Sequence, residues 1–374
     1  MLSKATVLTR FHEIANSPRK QLDGYLAQGK KVIACVPVYT PEEIIHSMGL
    51  VPMGAWGGDI EVKEAKQYFP AFICSVMQSV LELGMRGDYE GISALVVPSL
   101  CDSLKCLGQN WKFAVPSIPF IPMTYPQNRT NKVGLTFVKA GYERVIADLE
   151  KITGAKFSDG ALANSNVIYN AHNAAMRELS CVLADHPEIT AAQRSDVFKS
   201  AWFMLKEEHT ALVRELIDAL RAEPEAGRKK LRIITTGILA DSKGLLAALD
   251  ENDMQIVGDD MANESRQYRV DVPVGISALD ALAEKFCKMD NCSVLYDADK
   301  KRVDLIMELV KSRKADGVMV ALTKFCDPEE FDYVLIKRAC EAANVPHMLI
   351  EVDRQMTNYE QAKTIIQSFR EMMA

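Results

Sequence analysis

The sequence carries no surplus of positive charge. Its 374 residues include 44 Lys and Arg against 50 Asp and Glu, a formal net charge of −6. Neutralising a phosphate backbone needs an excess of cations, so a general nucleic-acid binder is excluded. Long apolar runs are missing too. The most suggestive stretch, Phe113 to Asn128, is interrupted by Pro116, Pro119, Pro122 and Pro126. No uncharged run reaches the roughly 18 residues of a membrane span. Lys4 and Arg10 flank no apolar core, so no secretory signal is expected and the chain is expected in the cytoplasm. Neither G-x-G-x-x-G nor G-x-x-x-x-G-K-[ST] occurs. Dinucleotide binding and P-loop ATP hydrolysis within this chain are therefore disfavoured. There is also no C-x-x-C pair, no histidine pair at metal-ligand spacing, no solenoid-length repeat and no low-complexity tract.

What remains is the composition of a folded protein, 48% hydrophobic and 25% charged, with a length that suits two or three domains. Nine cysteines without a signal peptide point to a reducing compartment, where thiols are buried, ligate metals or do redox work rather than forming disulfides.

Residues 1–30 read as a polar helical lead-in. Residues 31–131 read as an α/β module with strands at 31–36, 50–53, 94–98 and 117–121 and a helix over 71–83. Thr40-Pro41-Glu42-Glu43 has the pattern of a capping box opening a helix that stops at Gly49. Residues 132–228 read as a helical block, with periodic stretches over 137–152, 161–183, 191–205 and 208–222. Glu223-Pro224-Glu225-Ala226-Gly227 breaks it. Residues 229–374 alternate again, with strands at 231–235, 255–258, 317–322 and 347–351. Helices are expected over 243–249, 278–287, 303–310, 329–343 and 360–369. Alternating buried strands and helices imply parallel sheets covered on both faces. The fold class is therefore α/β: two doubly wound, Rossmann- or flavodoxin-like modules with a helical block between them.

The two modules echo each other at one point. Val96-Val97-Pro98-Ser99-Leu100-Cys101-Asp102 and Met319-Val320-Ala321-Leu322-Thr323-Lys324-Phe325-Cys326-Asp327 each read as an apolar strand, a short loop and Cys-Asp at a helix start. Ligands of open parallel sheets sit beyond the carboxyl ends of the strands. Asp102 and Asp327 can cap their helices, leaving each cysteine at the positive end of a helix dipole, which suits a metal-bound thiolate. Cys74 follows the broken loop at Phe69-Pro70. Spacing alone leaves these three as either ligands or buried apolar thiols.

Cys35 ends a strand and faces either the cleft or the sheet. Cys106 reads as core, and Cys181, Cys287, Cys292 and Cys340 read as structural. Glu42, Glu43 and His46 cluster on the first capped helix and are candidates for acid–base work near the cleft or a subunit interface, beside the plainer reading of a polar helix face. His209 reads as solvated. Gly54 to Gly58 is a tight turn that either holds a phosphate or packs Trp56 onto the core.

Longer blocks carry a more specific signal. Pro37-Val38-Tyr39-Thr40-Pro41-Glu42-Glu43-Ile44-Ile45-His46, the stretch from Ala65 through Phe69-Pro70-Ala71-Phe72-Ile73-Cys74 to Gln78, Cys101 to Lys112, and Lys324-Phe325-Cys326-Asp327-Pro328-Glu329-Glu330 resemble the 2-hydroxyacyl-CoA dehydratases, specifically the smaller (beta) subunit of the heterodimer. Gly237 to Ser242 and Asp259 to Arg269 extend the likeness over nearly the whole chain.

The resemblance implies a [4Fe–4S] cluster on Cys74, Cys101 and Cys326, with Asp102 and Asp327 capping nearby and no protein cysteine on the fourth iron. It implies elimination of water from (R)-2-hydroxyacyl-CoA to (E)-2-enoyl-CoA through a ketyl radical, in which the electron is returned at each turnover. It implies a larger (alpha) subunit that holds the 2-hydroxyacyl-CoA substrate, and a separate ATP-dependent iron–sulfur activator that supplies the electron. The cluster of this subunit then relays or holds that electron. The alternatives are a benzoyl-CoA-reductase-like or double-cubane cluster reductase subunit, and a non-catalytic α/β scaffold with merely buried thiols.

Overall fold

A computed structural model describes residues 2–224, 227 and 230–373. The expected break at 223–227 falls partly on Glu225 and Ala226, and the 228/229 boundary on Arg228 and Lys229, all outside the described residues.

The first sheet is formed by β1 (Val32–Cys35), β2 (Val51–Gly54), β3 (Ala94–Pro98) and β4 (Phe120–Met123). All its pairings are parallel, in the order β2-β1-β3-β4. The second sheet is formed by β5 (Leu231–Gly237), β6 (Met254–Met261), β7 (Gly317–Thr323) and β8 (His347–Val352). It repeats that order as β6-β5-β7-β8, again parallel throughout. Parallel neighbours need crossover connections, and helices supply them. The central strands β1, β3 and β7 are buried at every position. This explains why they read as unbroken apolar runs rather than alternating ones.

Before the first sheet lie α1 (Lys4–Ala15) and α2 (Pro18–Ala27). The expected polar lead-in is amphipathic: Val7, Leu8, Phe11 and Ile14 of α1 are buried. Within the first module α3 (Glu42–Ser47) is short, and its N-cap is Pro41, with no side-chain cap bond. The expected capping box does not form, because the Thr40 hydroxyl donates back to the Val36 carbonyl at 2.7 Å. Gly49 ends the helix as expected, with φ +73°. The turn at Gly54 packs Trp56, which stacks on Trp202 at 5.0 Å between centroids. Then come α4 (Ser75–Met85) and α5 (Asp102–Ala114).

The helical stretch comprises α6 (Lys132–Thr153), α7 (Asp159–Leu183), α8 (Ala191–Ser200) and α9 (Lys206–Arg221). Local caps set its boundaries. Asn131 accepts from Gly134 N–H, Ser158 from Ala161 N–H, and Thr190 with Gln193 forms a reciprocal capping box. The second module contains α10 (Lys243–Glu251), α11 (Ala278–Lys288), α12 (Arg302–Ser312), α13 (Asp327–Ala342) and α14 (Glu360–Met372). No helix among the described residues is long and apolar enough to cross a membrane.

His209, expected in solvent, is fully buried. A helical period that looks polar at 206–209 turns this residue inward toward α7. Its Nε2 lies 3.0 Å from the Val197 carbonyl, which only accepts, so Nε2 carries the proton. His209 Nδ1 is then the acceptor for His172 Nε2–H at 3.0 Å. Burial holds both imidazoles neutral, with His172 well below its ordinary range and His209 down to about 3.

Two predictions follow from this packing. The folded pKa values of the histidine pair lie below the unfolded ones. Their stabilisation is therefore complete above about pH 6.5 and declines as pH falls toward the folded values. Urea unfolding should show a loss of about 2 kcal/mol per ring between pH 7.5 and pH 5. A His172→Gln/His209→Gln variant should have a flatter profile over that range, and an equally steep one would contradict the assignment. Gly237 ends β5 at φ +150°, where an added Cβ would collide with the Ala321 carbonyl oxygen of β7. Gly237→Ala should destabilise the chain by more than about 2 kcal/mol in the same assay.

Candidate functional site

In a parallel sheet whose strand order reverses, the loops at the reversal part and leave a crevice at the carboxyl edge. Here there are two such crevices, after β1 and β3 and after β5 and β7, and they face each other. Pro37 and Val38 follow β1, Leu100 and Cys101 follow β3, Ile238 follows β5, and Phe325 and Cys326 follow β7. All line one cavity of about 570 Å³. Cys74 enters from the loop before α4, and residues 293–298 close the far side.

Each of the three cysteines is the N-cap residue of a helix: Cys74 of α4, Cys101 of α5 and Cys326 of α13. Their carbonyls already accept first-turn bonds, from Met77 and Gln78, from Lys105, and from Glu329 and Glu330. Phe325 at φ +62° makes the sharp turn into Cys326. Pro328 in the first turn of α13 lacks only an N–H that would have no helical partner. Asp102 and Asp327 are therefore not caps. Both are the first helical residue and solvent-facing; the Asp102 side chain is 94% exposed and pairs with Lys105 at 3.1 Å. The reason is a one-residue shift: the cysteine, not the aspartate, has the non-helical backbone of the cap position. The acids still complement the positive helix ends.

Burial pushes all three thiols up, Cys101 to about 12 and Cys326 well above the ordinary value. Each group adds like charge to another, Cys74 to Cys101 and both to Cys326. Opposing this are backbone N–H groups of the first turns: Val76 and Met77 at Cys74, Leu104 and Ser103 at Cys101, Glu329 at Cys326. Three thiols lining one cavity at three helix N-termini form, once deprotonated, a donor set suited to a cationic group. The described His, Cys, Asp and Glu ligand atoms that gather within 4.8 Å of one another are those of buried His186 and exposed Glu188 and Glu223, not these thiols.

The supports beneath the site were not legible as such. Glu329, in the first turn of α13, is buried. It accepts from Ser293 Oγ at 2.6 Å, from Arg302 Nη2 at 2.7 Å and from Arg266 Nη1 at 3.1 Å. Arg302 and Arg266 also hold Asp260 of β6, at 2.6 and 3.0 Å. Burial works to raise the carboxyl of Asp260, but Arg266, Arg302 and Arg269 overcome it and hold it below the ordinary range. On the other side, Arg354 N–H donates to Ser75 Oγ at 3.1 Å. The Arg354 guanidinium pairs with Asp241 at 2.7 Å and Asp59 at 3.1 Å, joining the two modules beside α4. Glu329, Asp241 and the charges between Asp259 and Arg269 fall in the blocks that carry the family resemblance, but nothing in the sequence pairs them.

The remaining candidates separate from this cavity. Glu42 and Glu43 line a different, inner cavity, and His46 contacts Ser165 at 3.0 Å and Glu207 at 3.4 Å. Cys35 is buried within the sheet, its Sγ 3.7 Å from the Ile33 carbonyl. Cys106, expected in the core, is exposed, because the buried stripe of α5 runs through Leu104, Leu107 and Trp111.

Comparison with known proteins bears on this geometry. The family model described as "2-hydroxyglutaryl-CoA dehydratase, D-component" matches residues 37–373. The (R)-phenyllactyl-CoA dehydratase beta subunit of Clostridium sporogenes is 48% identical over 97% of both chains. The lactoyl-CoA dehydratase subunit beta of Anaerotignum propionicum is 43% identical over 98% of both. The (R)-2-hydroxyglutaryl-CoA dehydratase subunit beta of Acidaminococcus fermentans is 37% identical over 99% of both. With a family match over nine-tenths of its length and such identities over nearly whole chains, this protein belongs to the 2-hydroxyacyl-CoA dehydratase beta subunits.

Proposed function

We propose that the chain is the beta subunit of an oxygen-sensitive (R)-2-hydroxyacyl-CoA dehydratase of the cytoplasm, and that Cys74, Cys101 and Cys326 hold a [4Fe–4S] cluster. The observation that carries this is the convergence of three N-cap cysteines on one cavity between two facing sheet crevices. When bound, the cluster supplies one-electron chemistry. The reaction served is loss of water from the 2-hydroxyacyl thioester to the 2-enoyl thioester through a ketyl radical. The larger alpha subunit holds the substrate, and an ATP-dependent iron–sulfur activator supplies the electron.

The residues of this chain do holding and tuning rather than acid–base work. The three helix N-termini lower the cost of gathering thiolates. The Glu329, Arg266 and Arg302 lattice fixes the loop that presents Cys326, and Arg354 fixes the start of α4 below Cys74. Apolar side chains, Met77, Leu295 and Ile238 among them, line the cavity beside the thiols. At its edge Lys105 pairs with Asp102, and Lys300 pairs with Asp332 at 2.8 Å.

Protein purified without oxygen should contain about four irons and four acid-labile sulfides per chain, with a brown charge-transfer spectrum. Cys74→Ala, Cys101→Ala and Cys326→Ala should each lose them, while Cys106→Ala keeps them. Colourless protein that takes up no cluster on reconstitution would overturn the reading, and about eight irons would favour a double-cubane reductase. Glu329→Gln leaves Arg266 and Arg302 short of a buried counter-charge. It should cost about 3 kcal/mol of stability by urea unfolding and speed iron loss to a chelator, with wild-type iron content at the outset.

A further inference from the structure

A second cavity, of about 80 Å³, lies inside the molecule where α7, α11 and the loops after β1 and β6 meet. It shares a wall with the cysteine cavity. In the segment after β1, Pro37 and Val38 face the thiols, whereas Tyr39 to Glu43 face inward. Its charges are matched two against two. Lys206 Nζ pairs with Glu42 at 2.9 Å and donates to the Ala201 carbonyl at 2.7 Å, and Lys285 Nζ pairs with Glu43 at 2.6 Å. Two other lining residues each carry a polar atom that no described residue bonds. The Tyr268 hydroxyl and Asn263 Oδ1 are buried without a hydrogen bond, on residues 5% and 2% exposed. Leaving such groups unpaired costs about 1–3 kcal/mol each. Much of the rest of the wall is aromatic, including the stacked pair Trp56 and Trp202, with Thr40, His172, Asn173 and Gln267 adding polar groups.

We infer that this inner cavity is a binding site for a small uncharged molecule carrying a hydroxyl or carboxamide on an apolar body. The amide oxygen of Asn263 only accepts, so the occupant must donate. A carboxylate offers acceptors alone and would sit against Glu42 and Glu43. An ammonium would sit against Lys206 and Lys285. With the ion pairs balanced, neither charge has a counter-ion left. Water would serve Asn263 and Tyr268 but gains nothing from the aromatic walls, which favour an occupant with an apolar side. The volume limits that occupant to a few heavy atoms. The inference stands on this cavity alone and does not depend on what the cysteines hold.

Two of the three tryptophans line the site, whereas Trp111 is tied to the Ile118 carbonyl at 3.0 Å elsewhere. Intrinsic fluorescence of the full chain therefore reports on it. Titration with butyramide should give a saturable change, and butyrate should give none. Tyr268→Phe should weaken butyramide roughly five- to tenfold without lowering the melting temperature, because the lost hydroxyl has no protein partner. Ala201→Leu, which fills the cavity, should abolish the response. Crystals soaked in butyramide should show it against Asn263. No saturable response, an equal response to butyrate, or ordered water only in the soaked cavity would overturn the inference. So would a Tyr268→Phe variant that loses stability but binds unchanged.

Discussion

The Glu329 carboxylate is buried among Arg266, Arg302 and Ser293, and those arginines are held in turn by Asp260 on the neighbouring strand. A buried charge without partners is costly, and one with partners on several elements locks those elements to each other. Here the locked elements are β6, α12, α13 and the segment around Ser293. The lattice lies directly behind the turn that delivers Cys326. A helix N-terminus would otherwise fray, and this one is pinned by side chains that water cannot replace. The position of the third thiol therefore depends on an electrostatic constraint in the core as much as on the local turn.

The first two thiols are positioned by different means. Cys101 sits where a fully buried parallel strand ends and its crossover helix begins, so sheet geometry alone places it at the carboxyl edge. Cys74 belongs to a connection rather than a strand end. It is held by Gln78, whose amide donates to the Ile73 carbonyl at 3.0 Å, and by the Arg354 bond to Ser75. Arg354 comes from the loop after the last strand, so the site closes only when both modules are folded and docked. This explains why three residues spread over most of the chain share one cavity without any local ligand motif.

The segment after β1 divides the interior. One face, at Pro37 and Val38, belongs to the cysteine cavity, and the other, from Tyr39 to Glu43, belongs to the inner aromatic cavity. The acidic pair that drew attention as a candidate for proton transfer is thus buried on the far side of that segment, each carboxylate tied to a lysine. Its chemistry is that of a neutral, structured pocket rather than of an exposed acid–base pair.

Most of the fold was legible because buried parallel strands and capped amphipathic helices write their period into short stretches of sequence. Strand 94–98 and the helices ending at Thr153 and Leu183 are examples. The site was legible at Cys101 and Cys326 because strand, loop and helix start recur there in order, and the longer blocks identified the family. Residues that act through distant partners were not legible. His209 looks like part of a charged helix face until α7 brings His172 against it. Thr40 looks like a cap until the chain turns back on Val36. Glu329, Arg302 and Arg354 look like surface charge until their counter-ions arrive from elements 27 to 295 positions away. Sequence by itself determined the strand and helix order and the chemistry available at the strand ends, since those follow from local periodicity and turn residues. Tertiary structure decided which thiols meet and which charges are buried, because each depends on the packing of segments that only the folded chain brings into contact.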